Sequence, residues 1–266
     1  MRFKLPSLRR KRREDTAAAF TMDRRRLLPY KSDFYTREAY KTLRSNVNFA
    51  LTDEDKSRVL IVTSSFQGEG KSLTAINLAI SIAQAEKRVI IIDCDLRRPK
   101  LALELGIKTK TGLSNVLTDL DLLPKALVKE VSPGLDAIPA GSVPPNPSEL
   151  LGSARMSRLI RQLKDQYDYI ILDTPPVNMV TDAAVLVRES NGILMVVRAG
   201  VAEKGEVQQA VEQLEYANAK ILGFVLNGVA KGSGKYGYGR YGRYGKYGRY
   251  GYGRYDYGEE SGQNQA

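Results

Sequence analysis

The residues of this chain best suited to chemistry are one lysine and three aspartates. Lys71 sits in the run SSFQGEGKS, residues 64–72, which follows a β-branched stretch and leads into an amphipathic one. A phosphate-binding P-loop asks for Gly, four residues, then Gly-Lys-Ser/Thr. Gly70, Lys71 and Ser72 meet that pattern, while Ser65 stands at the position of the first Gly. The physical demands survive the change. Gly68 and Gly70 let the backbone curl so that its N–H groups, Glu69 included, face phosphate, and the N-terminus of the next helix adds its partial positive charge. The nucleotide is therefore expected along Gly68, Glu69, Gly70, Lys71, Ser72 and Leu73, with Lys71 on the β and γ phosphates and the Ser72 hydroxyl on magnesium. An ordinary glycine-rich turn between strand and helix is the plain alternative.

The aspartates lie in IIIDCDLRR and YIILDTPP, which place Asp93, Asp95 and Asp173 at or just past the ends of apolar runs. In a parallel sheet the carboxyl ends of the strands face the ligand crevice, so all three carboxylates can converge on the magnesium. A lone strand-ending Asp would be a turn or cap residue. Three beside a P-loop point to nucleotide chemistry. Asp93 and Asp95 share a side-chain parity, so one could orient an attacking hydroxyl while the others hold the ion. Cys94 has the opposite parity and reads as a small buried filler. The chain has no His and one Cys, which excludes Ser-His-Asp and Cys-His catalysis, imidazole-based zinc sites and a disulfide framework.

These groups need a scaffold. Strands are expected at 59–63, 89–93, 169–173, 192–197 and 221–226, alternating with helical patterns, which argues for an α/β fold: a mostly parallel sheet with helices on both faces. Leu73, Ile76, Ile80 and Ala83 fall on one helical face, as do Met156, Leu159, Ile160 and Leu163. The second helix has a readable start, with Asn146 as N-cap, Pro147 in the first turn and Glu149 three residues after the cap.

The net charge of +11 suggests a nucleic-acid binder until it is located. Residues 1–26 hold ten bases and three acids and 231–266 hold seven and three, which leaves 24 of each between them. The basicity belongs to the two ends. Residues 1–30 read as a flexible basic head, either a solvated charge run or a segment attracted to an anionic membrane surface, and 31–230 as the P-loop domain. Residues 231–266 read as a disordered low-complexity tail of Tyr, Gly, Arg and Lys. No apolar run approaches the roughly 18 to 20 residues of a membrane-spanning helix, and the start lacks a signal peptide's apolar core, so a cytoplasmic protein is expected.

Together these motifs resemble the bacterial tyrosine kinases, P-loop proteins unrelated in fold to eukaryotic protein kinases. SSFQGEGKS is similar to their Walker A, IIIDCDLRRP to their Walker A′ and ILDTPP to their Walker B. PAGSVPPNPSELL, 139–151, is similar to a further family stretch, and the Tyr-rich tail completes the set. The resemblance implies ATP and Mg2+ as cofactors, Lys71, Asp93 and Asp95 as catalytic, and Ser72, Asp95 and Asp173 around the metal. It makes Asp93 the group that orients or deprotonates the tyrosine hydroxyl. Asn227, at the end of the last expected strand, is a candidate for the adenine. EAYKTLR at 38–44 resembles a helix that contacts the next subunit of a ring through Glu38, Lys41 and Arg44, with Lys41 in place of an Arg. A solvated helix face carrying an i, i+3 ion pair is the plain reading of the same stripe.

The resemblance further implies regulation of capsular or exopolysaccharide synthesis, and a cognate phosphotyrosine phosphatase. It also implies an activating membrane protein whose cytoplasmic segment recruits the kinase to the inner membrane face. The substrates are expected to be the tail tyrosines Tyr236, Tyr238, Tyr241, Tyr244, Tyr247, Tyr250, Tyr252, Tyr255 and Tyr257, phosphorylated between subunits. The competing reading is a partition or cell-division-positioning ATPase whose Arg- and Tyr-rich tail binds nucleic acid. A purely adhesive tail is a third. The kinase reading expects no nucleic acid.

Overall fold

The β-branched runs become strands in the computed structural model, which describes residues 27–28, 32–51 and 57–229. They are β1 (Arg58–Ser64), β2 (Val89–Asp93), β5 (Tyr169–Asp173), β6 (Gly192–Arg198) and β7 (Ile221–Asn227), each within one residue of expectation at either end. Two more strands complete the sheet, β3 (Val128–Ser132) and β4 (Leu135–Ile138), a hairpin that was not expected. The order is β3-β4-β2-β5-β1-β6-β7. Every neighbouring pair is parallel except β3 with β4. β3 reads VKEVS, half-buried at Val128, Val131 and Ser132 and exposed at Lys129 and Glu130, so it offers no apolar run. Its sequence signal is the turn Pro133-Gly134, where Gly134 takes a φ of 73°.

Alternate residues of each strand feed opposite faces. Val59 and Ile61 of β1 enter one apolar layer with Ile90, Ile92, Ile170 and Leu172, and Leu60 and Val62 enter the other with Ile91 and Ile171. On the second face lie α1 (Phe34–Ala50) and α2 (Lys71–Ala83). The other face is covered by helices that include α4 (Leu113–Thr118), α7 (Ala154–Lys164) and α9 (Lys204–Tyr216). The short α5 (Leu123–Ala126), α6 (Pro147–Leu151) and α8 (Asp182–Val185) join them, while the short α3 (Leu101–Leu105) packs Leu101 and Leu105 on the second face.

Two helix expectations need correction. α2 is buried at every position but Lys71 and Leu73, not on one face. The reason is that α1 lies over its outer side: Ser81 Oγ donates to Tyr40 O at 3.3 Å and Arg44 reaches Ser81 O. Leu28 N also donates to Asn77 Oδ1 at 2.9 Å, and Leu27 and Leu28, placed in the head by composition, are buried there. Second, the helix expected to run on from Asn146 is two helices. α6 stops at Gly152, and α7 starts afresh with Ser153 Oγ accepting from Met156 N. Asn146 makes no side-chain cap; its amide donates to Glu149 Oε2 at 3.0 Å instead. The rest of the head and the whole tail lie outside the described residues.

Candidate active site

Register brings the acids together. Asp93 ends β2, Asp173 ends β5, and the two are partners across adjacent parallel strands. β1 flanks β5 on its other side, with Val62 opposite Asp173. The chain then turns through the P-loop into α2, whose first residue is Lys71. Lys71 Nζ lies 3.0 Å from Asp95 Oδ2, 3.3 Å from Asp173 Oδ1 and 3.4 Å from Ser72 Oγ. The fold therefore gathers Lys71, Ser72, Asp95 and Asp173 at one point from three places in the sequence.

Asp93 is turned differently. It is fully buried, Oδ1 accepts from Asp95 N at 3.1 Å and Oδ2 from Leu101 N at 3.0 Å. The expected convergence of three carboxylates on one ion thus becomes two carboxylates at Lys71 and a third held beside them by backbone donors. Each Asp93 oxygen keeps a second lone pair. Asp95 is fixed as well, its Oδ1 accepting from Arg98 N at 3.0 Å. Cys94 is buried, as its parity implied, and burial pushes its thiol well up, out of nucleophile range.

Burial, with the neighbouring charges, sets the protonation tendencies. Burial, then the facing Asp173, pushes the Asp93 carboxyl up to about 8. Burial also raises Asp173, against the pull of Lys71. Burial works against the Lys71 ammonium, but Asp173 and Asp95 outweigh it and its pKa rises. Such packing of acids around one lysine is what a site awaiting more positive charge looks like.

The phosphate loop is held by its own neighbours. Gly68 and Gly70 adopt φ values of 83° and 90°, open to glycine at no steric cost. A Cβ on Gly70 would run into the Asn227 side-chain amide, which would have to shift from its place on the loop. Asn227 Nδ2 donates to Glu69 O at 2.9 Å, which puts the end of β7 against the loop. The Glu69 side chain is buried and points into the loop, accepting from Ser65 Oγ at 2.9 Å and Phe66 N at 2.7 Å. Only the backbone of Glu69 is left to face phosphate. Beside the loop opens a cleft of about 780 Å³, lined among others by Lys71, Ser72, Asp95, Pro176, Arg198 and Asn227.

The residues fit a nucleotide and magnesium. Asp173 Oδ2 is a buried carboxylate oxygen with no hydrogen-bond partner among the described residues, beside a lysine and a serine hydroxyl. A buried unpaired oxygen of this kind is costly unless a ligand completes it. No three His, Cys, Asp or Glu side chains among the described residues close into a ready cage. That suits magnesium, which takes one or two carboxylates and fills its shell with phosphate and water.

Two features were not anticipated. Arg97 grips the buried Asp182 through Nε at 3.0 Å and Nη2 at 3.1 Å, and Ser148 donates to the same carboxylate. This ties IIIDCDLRR to the stretch 139–151. Arg198, at the end of β6, donates from Nη1 to Gly68 O at 2.9 Å. The stripe Glu38, Lys41 and Arg44 is divided: Lys41 pairs with Glu38 at 2.7 Å in solvent, whereas Arg44 turns inward to Ser81 O.

Residues 57–222 match the AAA domain family. Over 203 residues the chain is 39% identical to the tyrosine-protein kinase YwqD of Bacillus subtilis, covering 76% of this chain and 85% of that one. The chain belongs to the bacterial tyrosine-protein kinases. It is 40% identical over 220 residues to the putative tyrosine-protein kinase EpsB of Ralstonia nicotianae, and there spans 83% of this chain but only 28% of the relative. The kinase domain of the Escherichia coli tyrosine kinase ETK superposes with a TM-score of 0.70 at 36% identity, covering 82% of this chain and 80% of that one. The septum site-determining protein MinD of Pyrococcus horikoshii shares the fold alone, with a TM-score of 0.54 at 23% identity. The nucleotide fold is thus common to kinase and positioning ATPase, and the sequence similarity falls on the kinase side. Among the described residues, no helix is long and apolar enough to cross a membrane.

Proposed function

We propose that this kinase transfers the γ-phosphate of ATP to tyrosines of its own C-terminal tail, in trans between subunits. The observation that supports it best is the meeting of Lys71, Asp95 and Asp173 with Asp93 held beside them. Lys71 would bind the β and γ phosphates, and the loop amides from Gly68 to Leu73 would carry the rest of the chain of phosphates. Asn227 would sit toward the base. Magnesium, held by Ser72, Asp95 and Asp173, would supply positive charge for the phosphoryl oxygens and draw the carboxyls around it toward their ionised forms. Asp93 would accept the tyrosine hydroxyl's proton or its hydrogen bond as that oxygen attacks phosphorus and ADP leaves.

The acceptors would be Tyr236 to Tyr257, nine tyrosines spaced two or three residues apart among seven bases of residues 231–266. Tethering raises their local concentration at a neighbouring site. Each phosphate adds about −1.5 to −2 charges, so three or four would cancel those bases and loosen a ring built on the Glu38 to Arg44 face. Regulation of capsular or exopolysaccharide synthesis, a membrane activator recruiting the protein to the inner membrane face, and a partner phosphatase belong to the same proposal. The test is a mass spectrum after Mg-ATP, with activator segment supplied, for wild type, Lys71→Met and Asp93→Asn. Phosphate on tail tyrosines that disappears in both variants supports the reading. ATP hydrolysis with bare tyrosines in the activated wild type would sink it in favour of the positioning ATPase.

A further inference from the structure

A P-loop is a receptor for negative charge, yet this one carries a buried acid in its middle. Glu69 is 1% exposed and four residues from Ser65. A buried carboxylate is tolerated only when donors surround it. Here they come from two directions. From within the loop, the Ser65 hydroxyl donates at 2.9 Å and Phe66 N at 2.7 Å to Oε2. From the far side of the site, Arg198 N approaches Oε1 at 3.4 Å. The Arg198 side chain continues the connection, its Nη1 donating to Gly68 O at 2.9 Å while its stem passes Gly228, just after β7, whose Cβ position is 3.4 Å from Arg198 Cγ.

We propose that Glu69 and Arg198 form a clamp that sets the phosphate loop in its nucleotide-ready shape before nucleotide arrives, making both positioning residues for ATP. The logic follows from what each bond fixes. Glu69 Oε2 pins the start of the loop, at Ser65 and Phe66, to its end. Arg198 accounts for the Gly68 carbonyl on the side of β6, and a carbonyl so engaged is kept from turning toward the phosphates that the loop's N–H groups must meet. Ser65, where the usual pattern has glycine, becomes a donor in this arrangement. β6 is hydrogen-bonded into the sheet between β1 and β7, so the clamp transfers the rigidity of the sheet to a loop that otherwise has two glycines in it.

The inference rests on the reading of this site as an ATP site, and its test separates the two. Amide hydrogen exchange without nucleotide would be followed at Phe66 and Arg198, beside titration of fluorescent mant-ADP with magnesium, for wild type, Glu69→Ala, Glu69→Gln, Arg198→Ala and Arg198→Lys. The clamp predicts at least tenfold faster exchange at Phe66 in Glu69→Ala and an unaltered rate there in Arg198→Ala, which keeps the backbone N–H toward Glu69, with β2 and β5 amides unchanged. It predicts mant-ADP binding weakened about tenfold in both, lesser effects in Glu69→Gln and Arg198→Lys, and a double alanine variant no weaker than the worse single one. Unchanged Phe66 exchange in Glu69→Ala overturns it, whatever happens to binding, because weakened binding alone would mean direct contact with nucleotide. Accelerated exchange with unaltered binding overturns the positioning role. A wild type that bound no mant-ADP would end the ATP reading and with it the positioning role, and the exchange data would still judge the loop contacts. A global loss of protection in one variant is met by its conservative counterpart, which keeps a hydrogen-bonding group in place.

Discussion

The two sides of the site are built by different means. The acid side is made of side chains at the ends of β2 and β5, inner strands of the sheet, and its carboxylates are fixed in register by the strand pairing itself. The phosphate side is made of backbone, in a loop that glycine keeps flexible, and it is held from β6 and from the edge strand β7 through Arg198 and Asn227. The difference teaches where each kind of substitution acts. On the acid side a side chain is proposed to be the chemistry, so its loss should slow the reaction more than it weakens binding. On the phosphate side, Lys71 and Ser72 apart, the side chains hold the loop, so their loss should weaken binding.

The largest effect should come from Asp93→Asn. The variant keeps size and one of the two backbone contacts, sets an NH2 against the other N–H, and loses the carboxylate proposed to meet the tyrosine hydroxyl. Phosphoryl transfer should fall by about 10² to 10⁴, the usual contribution of a positioned acid or base, while mant-ADP affinity stays within about threefold. Single-turnover rates beside nucleotide titration give both numbers. A variant that lost affinity and kept its rate would invert the assignment of the two sides.

Next is Gly70→Ala. The added Cβ meets Asn227 Nδ2 and is forced to a φ of 90°. Left-handed backbone at a non-glycine residue costs about 1–2 kcal/mol, so nucleotide affinity should drop about tenfold or more. Combining it with Asn227→Ala removes the collision but not the backbone strain, so only part of the affinity should return. Full recovery would show that space alone required the glycine.

This contrast also marks what the sequence made legible. The acids and the lysine could be found because each sits at the end of an apolar run or inside a spaced motif, and Asp93 and Asp173 then meet because parallel strands align their ends. Arg198 could not, since a strand-ending arginine looks like any solvated one and its partner Gly68 is 130 residues away. Asp182 escaped for the same reason, as its partners Arg97 and Ser148 are 85 and 34 residues distant. The β3–β4 hairpin escaped because β3 shows no apolar run, only the Pro133-Gly134 turn. The burial of α2 on almost all sides was half visible: its few polar residues, Ser72, Thr74, Asn77 and Ser81, are those that a helix needs when another helix and the loops hydrogen-bond to it.

A stability pair sharpens the comparison between inner strands and edge. Ile171 in β5 is fully buried, whereas Phe224 in β7 is 54% exposed. Ile171→Ala should destabilise by about 2–5 kcal/mol through lost burial and the cavity left behind. Phe224→Ala should fall within about 0.5 kcal/mol, as exposed substitutions do. Urea unfolding monitored by circular dichroism measures both. A large loss at Phe224 would mean that something covers that strand in solution, and the edge would no longer be the softer support.

The smallest effects separate the two halves of the Glu38 to Arg44 stripe. Lys41 pairs with Glu38 in solvent, and an exposed pair of this kind contributes about 0.2–1 kcal/mol at most. Arg44 turns inward to the Ser81 carbonyl of α2, a contact of about 1 kcal/mol whose loss also frees a buried acceptor. Arg44→Ala should therefore cost more stability than Lys41→Ala. Sedimentation of the same variants asks a second question: if Lys41 and Glu38 face a neighbouring subunit, Lys41→Ala should reduce assembly while barely touching the midpoint of unfolding. A Lys41→Ala protein that assembles as wild type does would leave that pair a solvated helix face, and would place the subunit contact, if any, with residues other than this lysine.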